Sequence, residues 1–184
     1  MSRIDDIIAR IQAQGILSPA RYEILFAGVN FNKICQEVGS SPTEMNELFR
    51  TSCENVIIPG TSIASKEIRV HGPIRELPYE RLYTGDLNVT FRLDEAGLIR
   101  RFFLSWQDFI IKPETHDLEY YDEYICNMEI EQRKKNDDVS FRAKVQEVYP
   151  KQVNPLNLSF DSRDAYQRQE VSLAFRLFET EFVN

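Results

Sequence analysis

Residues 86–111 read DLNVTFRLDEAGLIRRFFLSWQDFII, and the change of period inside this stretch decides the fold class. Leu87, Val89, Phe91 and Leu93 alternate with Asn88, Thr90 and Arg92. A period of two puts the apolar set on one face of a β-strand and the polar set on the other. Further on the period becomes 3.6. Leu98, Ile99, Phe102, Phe103, Trp106, Phe109 and Ile110 then form one wide apolar stripe on a helix. Asp94 has the side chain to cap the helix start, and Pro113 lacks the N–H needed to continue it. The helix expected over 94–111 is about 24 Å long at ~1.5 Å per residue, enough to cover one face of a small sheet.

Strands are expected on both sides of this unit. Downstream, Tyr124–Gln132, Val139–Tyr149 and Glu170–Phe178 alternate, with a polar turn at Lys134–Asp138 and a loop or short strand from Asn154 to Ser162. In the last of them Val171, Leu173, Phe175 and Leu177 point one way, and Ser172, Ala174 and Arg176 the other. Upstream, Arg21–Ala27 reads as a short strand, Phe31–Val38 as a helical turn broken at Gly39–Pro42, and Leu48–Val56 as a strand before the Pro59-Gly60 turn. Ser65–His71 and Leu77–Tyr83 form a long hairpin around Gly72-Pro73, with Leu77, Tyr79, Arg81 and Tyr83 expected on one side. Its strands are more polar on both faces than a core strand should be. At the N-terminus, Ile4, Ile7, Ile8 and Ile11 share one face of an amphipathic helix over Ser2–Gln14, with Ser2 and Asp5 at capping-box spacing. Such a helix hides its apolar face on its own domain or on a neighbour. Runs of strands around one principal helix predict a mainly β (α+β) fold: a sandwich or barrel with a flanking helix, in one domain over 1–184. Residues 1–20 are a helical extension of it and 64–84 a hairpin arm.

Composition bounds the function. The chain has 184 residues, with 22 Lys and Arg against 29 Asp and Glu, for a net charge of −7. That sign opposes a nucleic-acid reader, which needs cations to displace phosphate counterions. It is compatible with letting DNA pass unheld. Cys35, Cys53 and Cys126 are widely spaced and odd in number, so they predict reduced thiols and no zinc or disulfide framework. The acidic start MSRIDDII is unlike a signal peptide, and no apolar run approaches the ~20 residues of a membrane span. Cytoplasmic synthesis is therefore expected, with no membrane partner.

Catalytic constellations are missing from the sequence. His71 and His116 have no second metal ligand at HxH or HExxH spacing and read as loop histidines. There is no GxSxG elbow and no phosphate-cradling glycine motif. Asp117, Glu119, Asp122 and Glu123 lack the rhythm of a calcium loop and read as a solvated loop. No cofactor, metal or catalytic residue is expected. A small β-barrel enzyme would need His71 or His116 beside a nucleophile in a cleft.

The joint order of segments resembles the tail tube proteins of contractile phages over about 21–179. RYEILF is similar to the family's first strand. LFRTSCENVIIPGTSI resembles a strand ending in a Pro-Gly turn, and KEIRVHGPIRELPYERLYTGDLNVTFRLDE the hairpin arm and alternating strand. LIRRFFLSWQDFI resembles the helix with its central Trp106. YICNMEIEQ, VQEVYPKQV and VSLAFRLFE resemble the closing strands, with a Tyr149-Pro150 turn between the last two. The resemblance implies a sandwich or barrel with one helix, and six-fold rings stacked into a hollow inner tube. It also implies kinship with type VI secretion and phage-like injection tubes. The implied partners are further copies of the chain, a sheath, baseplate or tube-initiator proteins, and double-stranded DNA that passes without specific binding. The implied location is the virion tail, assembled in the host cytoplasm. Candidate inter-subunit residues are Ile4, Ile7, Ile8 and Ile11 on the terminal helix, and Ile68, Val70, Leu77, Tyr79, Leu82 and Tyr83 on the arm. The 27–46 insertion and the tail Thr180–Asn184 exceed a minimal tube subunit, so a tube-initiator or adaptor ring near the baseplate is the alternative.

Overall fold

The computed structural model describes residues 4, 17–69, 71–159 and 166–183. Among them are nine strands: β1 (Tyr22–Ala27), β2 (Cys53–Ile57), β3 (Gly60–Ile68), β4 (Arg75–Thr84), β5 (Leu87–Arg92), β6 (Cys126–Arg133), β7 (Val139–Val153), β8 (Arg168–Ala174) and β9 (Leu177–Phe182). The helices are α1 (Val29–Val38), α2 (Pro42–Ser52), α3 (Leu98–Ile110) and the single turn α4 (Tyr121–Tyr124). The mainly β class and the flanking helix are as expected. The helix expected over Ser2–Gln14 lies outside the described residues except at Ile4, which is helical and exposed.

All pairings are antiparallel. The main sheet runs β1-β6-β7-β8-β5-β2, with β9 on the same edge of β7 as β8, and β3-β4 form a separate ribbon. β7 is the hinge of the architecture. Its first half pairs with β6 and β9, and its second half with β8. The switch occurs at Glu147, whose φ of 57° is unusual for a side-chain-bearing residue and marks a sharp local bend. Tyr121 Oη donates to Glu147 Oε2 at 2.9 Å, and Arg176 Nη1 lies 2.8 Å from Glu147 Oε1, so the bend is braced from two directions. Burial and the adjoining Glu147 carboxylate push the Tyr121 hydroxyl up to about 12.

Three expectations are corrected here. Tyr149-Pro150 is not a turn; both residues lie inside β7, with Pro150 opposite Leu173. The strand expected over Glu170–Phe178 is two strands, because the partner's bend forces a break at Phe175 and Arg176. Leu48–Val56 is not one strand: Leu48 to Ser52 finish α2 and only Cys53 onward is extended. Helix α2 starts at a complete capping box. Ser41 Oγ accepts from the Glu44 N–H, Glu44 Oε2 accepts from the Ser41 N–H, and Pro42 occupies the first helical position. That hydrogen bonding holds the Glu44 carboxyl below the usual carboxylate range. The Phe31–Val38 turn grows into the ten-residue α1, closed by Gly39 at φ 79°, a left-handed cap that glycine adopts without strain. Residues 27–46, expected as an insertion, therefore carry α1 and the start of α2, which pack on β1 and β6.

The core lies between the sheet and the helices. Phe26, Phe31, Phe49, Phe91, Phe102, Phe103 and Trp106 are all at most 2% exposed. Their rings meet at centroid separations of 5.1 to 6.4 Å, several of them edge-to-face as the aromatic quadrupole prefers. Trp106 Nε1 donates to the Tyr124 carbonyl at 2.8 Å, so its burial leaves no orphan donor. Asp94 does not cap α3 in the usual position, which Gly97 takes at φ 63°, but its Oδ1 still accepts the Leu98 N–H at 3.0 Å. Arg100 on α3 donates to the buried Gln169 side chain and to the Asn154 carbonyl, tying the helix to β8. Cys35 and Cys126 are buried and Cys53 is half-buried; burial pushes their thiols up to about 11, 12 and 11 respectively.

Candidate assembly surface

The ribbon β3-β4 is the least buried element of the molecule. Ser62, Ala64 and Tyr83 are half-buried; the other described side chains from Gly60 to Ile68 and from Arg75 to Tyr83 are exposed. Among the described residues the two strands pair only with each other, which leaves each an unpaired outer edge there. A two-stranded ribbon by itself is marginal in water, and its open edges are templates for another chain.

Register shows what each face carries. Ala64 lies opposite Glu80 and Ser65 opposite Pro78, so Tyr79 is an extra residue, a bulge in β4. The bulge reverses the alternation. Leu77 (opposite Lys66) shares a face with Leu82 (opposite Ser62), and Arg81 and Tyr83 share the other face with Ile63 and Thr61. The expected single row of Leu77, Tyr79, Arg81 and Tyr83 is therefore split, because the extra residue shifts side-chain parity by one. Among the candidate interface residues, Ile68, Leu77, Tyr79 and Leu82 are 38%, 50%, 69% and 43% exposed. Val70 and the isoleucines Ile7, Ile8 and Ile11 lie outside the described residues. Ile63, 67% exposed, belongs with the arm set and escaped the sequence reading.

Tyr83 has a different position. Its ring packs edge-on against Phe175 and Phe178, and its hydroxyl donates to the Phe178 carbonyl at 3.4 Å. It fastens the arm's root to the corner where β8 gives way to β9. Beside this root lies an apolar groove of about 290 Å³, lined by Ile58, Pro59, Gly60, Thr61, Phe141, Phe178, Thr180 and Phe182. Phe182 stands 76% exposed at its mouth.

The face of β1-β6-β7-β9 turned away from the core is a charge lattice. Glu131 is clamped by Arg142 and by Arg133, and Arg133 also reaches Glu23 at 3.1 Å. Arg50 meets Glu23 at 2.7 Å, Arg142 approaches Glu129 at 3.6 Å, and Lys144 meets Glu181 at 2.9 Å. Glu179 adds a further carboxylate opposite Lys144. Arg133, Arg142 and Lys144 each sit beside a glutamate, and the glutamates of this lattice outnumber them.

His71 and His116 are both exposed. Among the described residues no group of three or more His, Cys, Asp or Glu side chains is placed to hold a metal ion. No helix among them is long and apolar enough to cross a membrane.

A family model described as phage tail tube protein matches residues 17–181, which includes every described strand up to the last residue of β9. This chain belongs to the phage tail tube protein family. It is a structural tail protein, not an enzyme. No curated protein matches it by sequence. Among solved structures it is similar to a chain of the sheath-tube complex of an extracellular contractile injection system (PVC) in its extended state. The TM-score is 0.59 at 11% identity, covering 95% of this chain and 97% of that one. It is also similar to a chain of the anti-feeding prophage cap, the AFP tube terminating cap (TM-score 0.60, 9% identity, 91% and 92% covered). A third is a chain of the six-fold symmetrised anti-feeding prophage baseplate (TM-score 0.60, 10% identity, 91% and 96% covered). At these identities the shared property is the tail-tube fold.

Proposed function

We propose that this tail tube protein forms the inner tube of a contractile tail by stacking hexameric rings, and that the tube conducts double-stranded DNA during ejection. The observation that carries this reading is the β3-β4 arm. Over nine-residue β3 and ten-residue β4 it projects exposed apolar side chains and strand edges that find no partner among the described residues beyond the root. Ring formation and stacking give those groups a partner, and closing a sheet through neighbours removes edges that would otherwise aggregate. In this reading Ile68, Leu77, Tyr79 and Leu82 contact the next subunit, together with the 1–20 extension and its Ile4, Ile7, Ile8 and Ile11. Tyr83 holds the arm at its root. The lattice of Glu23, Glu129, Glu131, Glu179 and Glu181 lines the lumen, where its bases are already paired and present no free cation to phosphate. A sheath surrounds the tube, a baseplate or initiator ring templates it, and the product belongs to the virion tail assembled in the host cytoplasm.

Negative-stain electron microscopy of the purified chain at high concentration tests this. Hollow tubes or stacked six-fold rings are expected. Single rings that never stack, even with baseplate proteins added, would instead make it an adaptor ring, and a chain that stays monomeric under all these conditions would overturn the proposal.

A further inference from the structure

We propose that Glu147 is the joint that aims the β3-β4 arm: its carboxylate holds Arg176, and with it the corner between β8 and β9 on which the root of the arm stands. The direction of the arm is a property of the single chain, and its consequence for assembly rests on the tube reading above.

The backbone leaves that direction open. The arm joins the body through Pro59-Gly60 on one side and Gly85 on the other, and Gly85 has a φ of 81°, a region glycine enters and leaves with little resistance. Asp86, just past this glycine, pairs with Lys151 at 2.8 Å, but both side chains are too exposed for the pair to hold a direction. Contacts at the root therefore set the angle. Tyr83 makes the ring contacts there, with Phe175 at 5.5 Å and Phe178 at 6.4 Å, and its hydroxyl donates to the Phe178 carbonyl.

The corner that carries Phe175 and Phe178 is itself held by β7. Gln146 lies opposite Leu177 and Tyr149 opposite Ala174, so one register continues across the corner and sets Glu147 and Val148 opposite Arg176 and Phe175. On the other edge of β7, Cys126 pairs with Val148 and Met128 with Val145. Gln146 and Glu147 together therefore stand opposite Asn127, and the extra residue bends the strand. Glu147 takes the bend at φ 57°, a left-handed conformation that a residue with a long side chain holds only when its surroundings impose it. Three elements impose it. Asn127 Oδ1 on β6 accepts the Glu147 N–H at 3.5 Å, Tyr121 Oη on α4 donates to Oε2 at 2.9 Å, and Arg176 Nη1 donates to Oε1 at 2.8 Å. The Arg176 N–H also donates to the Gln146 carbonyl at 3.1 Å. Inward, the Tyr121 ring meets Tyr124 edge-on, and the Tyr124 carbonyl accepts Trp106 Nε1. The corner is thus tied to the aromatic core on one side and carries the arm on the other. Glu147 acts on the arm through Arg176 and Phe175, as a positioning residue.

The test puts p-acetylphenylalanine in place of Glu67 on the arm and Asp108 on α3, both exposed, and attaches a nitroxide to each. Double electron–electron resonance on the full chain, below the concentration at which tubes form, reads their separation. Wild type is expected to give one narrow distribution. Arg176→Ala and Glu147→Ala are expected to widen it at least twofold, and Arg176→Lys, which keeps the cation, to stay near the wild-type width. Arg176 is mostly exposed, so its alanine variant is expected to keep the wild-type circular dichroism and decides the matter if Glu147→Ala does not fold. A wild-type width in folded Arg176→Ala overturns the joint and leaves the tube reading intact. In electron micrographs the widened variants are expected to lose at least tenfold in tube yield. Normal tubes from a widened variant would support the joint and overturn the arm's part in assembly.

Discussion

The aromatic core beneath α3 and the β3-β4 arm use similar side chains to opposite ends. In the core, Trp106 and the phenylalanines around it lose nearly all contact with water. In the arm, Ile63, Leu77 and Tyr79 keep half or more of theirs. Burial of apolar surface stabilises by about 25 cal/mol per Å² only where water is removed, so the core sets the stability of the single chain and the arm contributes little to it. An exposed apolar arm makes sense when its burial is deferred to another molecule. The contrast teaches that stability and assembly are carried by separate residues and can be broken separately.

The largest expected effect is in the core. Trp106→Ala leaves a cavity among Phe26, Phe102 and Phe103 and should cost ~3–5 kcal/mol in denaturant unfolding. A loss below about 1 kcal/mol would break the assignment of the core to this cluster. Next is the Asn46 clamp on β1, whose Oδ1 accepts the Phe26 N–H and whose Nδ2 donates to the Phe26 carbonyl. Asn46→Ala strands the Phe26 N–H and carbonyl beside a buried ring and should cost ~1–3 kcal/mol by the same measurement. Ser41→Ala removes half of the α2 capping box and should cost ~1 kcal/mol. The Glu44 half of that box has a sign fixed by its lowered folded-state pKa. Its contribution is present above the unfolded carboxylate range and lost as pH falls through the folded value, so Glu44→Gln should flatten the acid limb of the stability curve. The smallest effect on stability belongs to the arm. Leu77→Asp with Tyr79→Asp should move unfolding by no more than ~0.5 kcal/mol while tubes disappear from electron micrographs. Normal tubes from that variant would remove the arm from the assembly surface. Tyr83 is unsuitable for this comparison, since its ring packs on Phe175 and Phe178 and its loss would loosen the root.

Legibility in the sequence followed the range of the interactions. β5 and α3 were readable because each has a long uninterrupted period. Helix α2 was misread as the start of a strand, although SPTE at 41–44 spells its capping box. The stripe Met45, Phe49, Ser52 is short and merges into the extended β2. The arm was readable as a hairpin, but its faces were not, because a single bulged residue at Tyr79 has no signature in the alternation. Phe182 was passed over as a tail residue; the only local hint was apolar Phe178 and Phe182 flanking Thr180 at strand spacing.

The sequence by itself determined the β-rich class, the aromatic helix and its core, the polar hairpin and, through the joint order of these segments, the family. The class, the helix and the hairpin rest on local periodicity, which the chain carries along its length, and the family on the resemblance of the ordered segments. Only the tertiary structure decided that β7 bends at Glu147 and serves two partners, that Asn46 holds both outward backbone groups of Phe26, and that Tyr83 fastens the arm at the corner between β8 and β9. These depend on which backbone groups find partners dozens of residues away, and a hydrogen bond between distant strands leaves no period in the sequence to read.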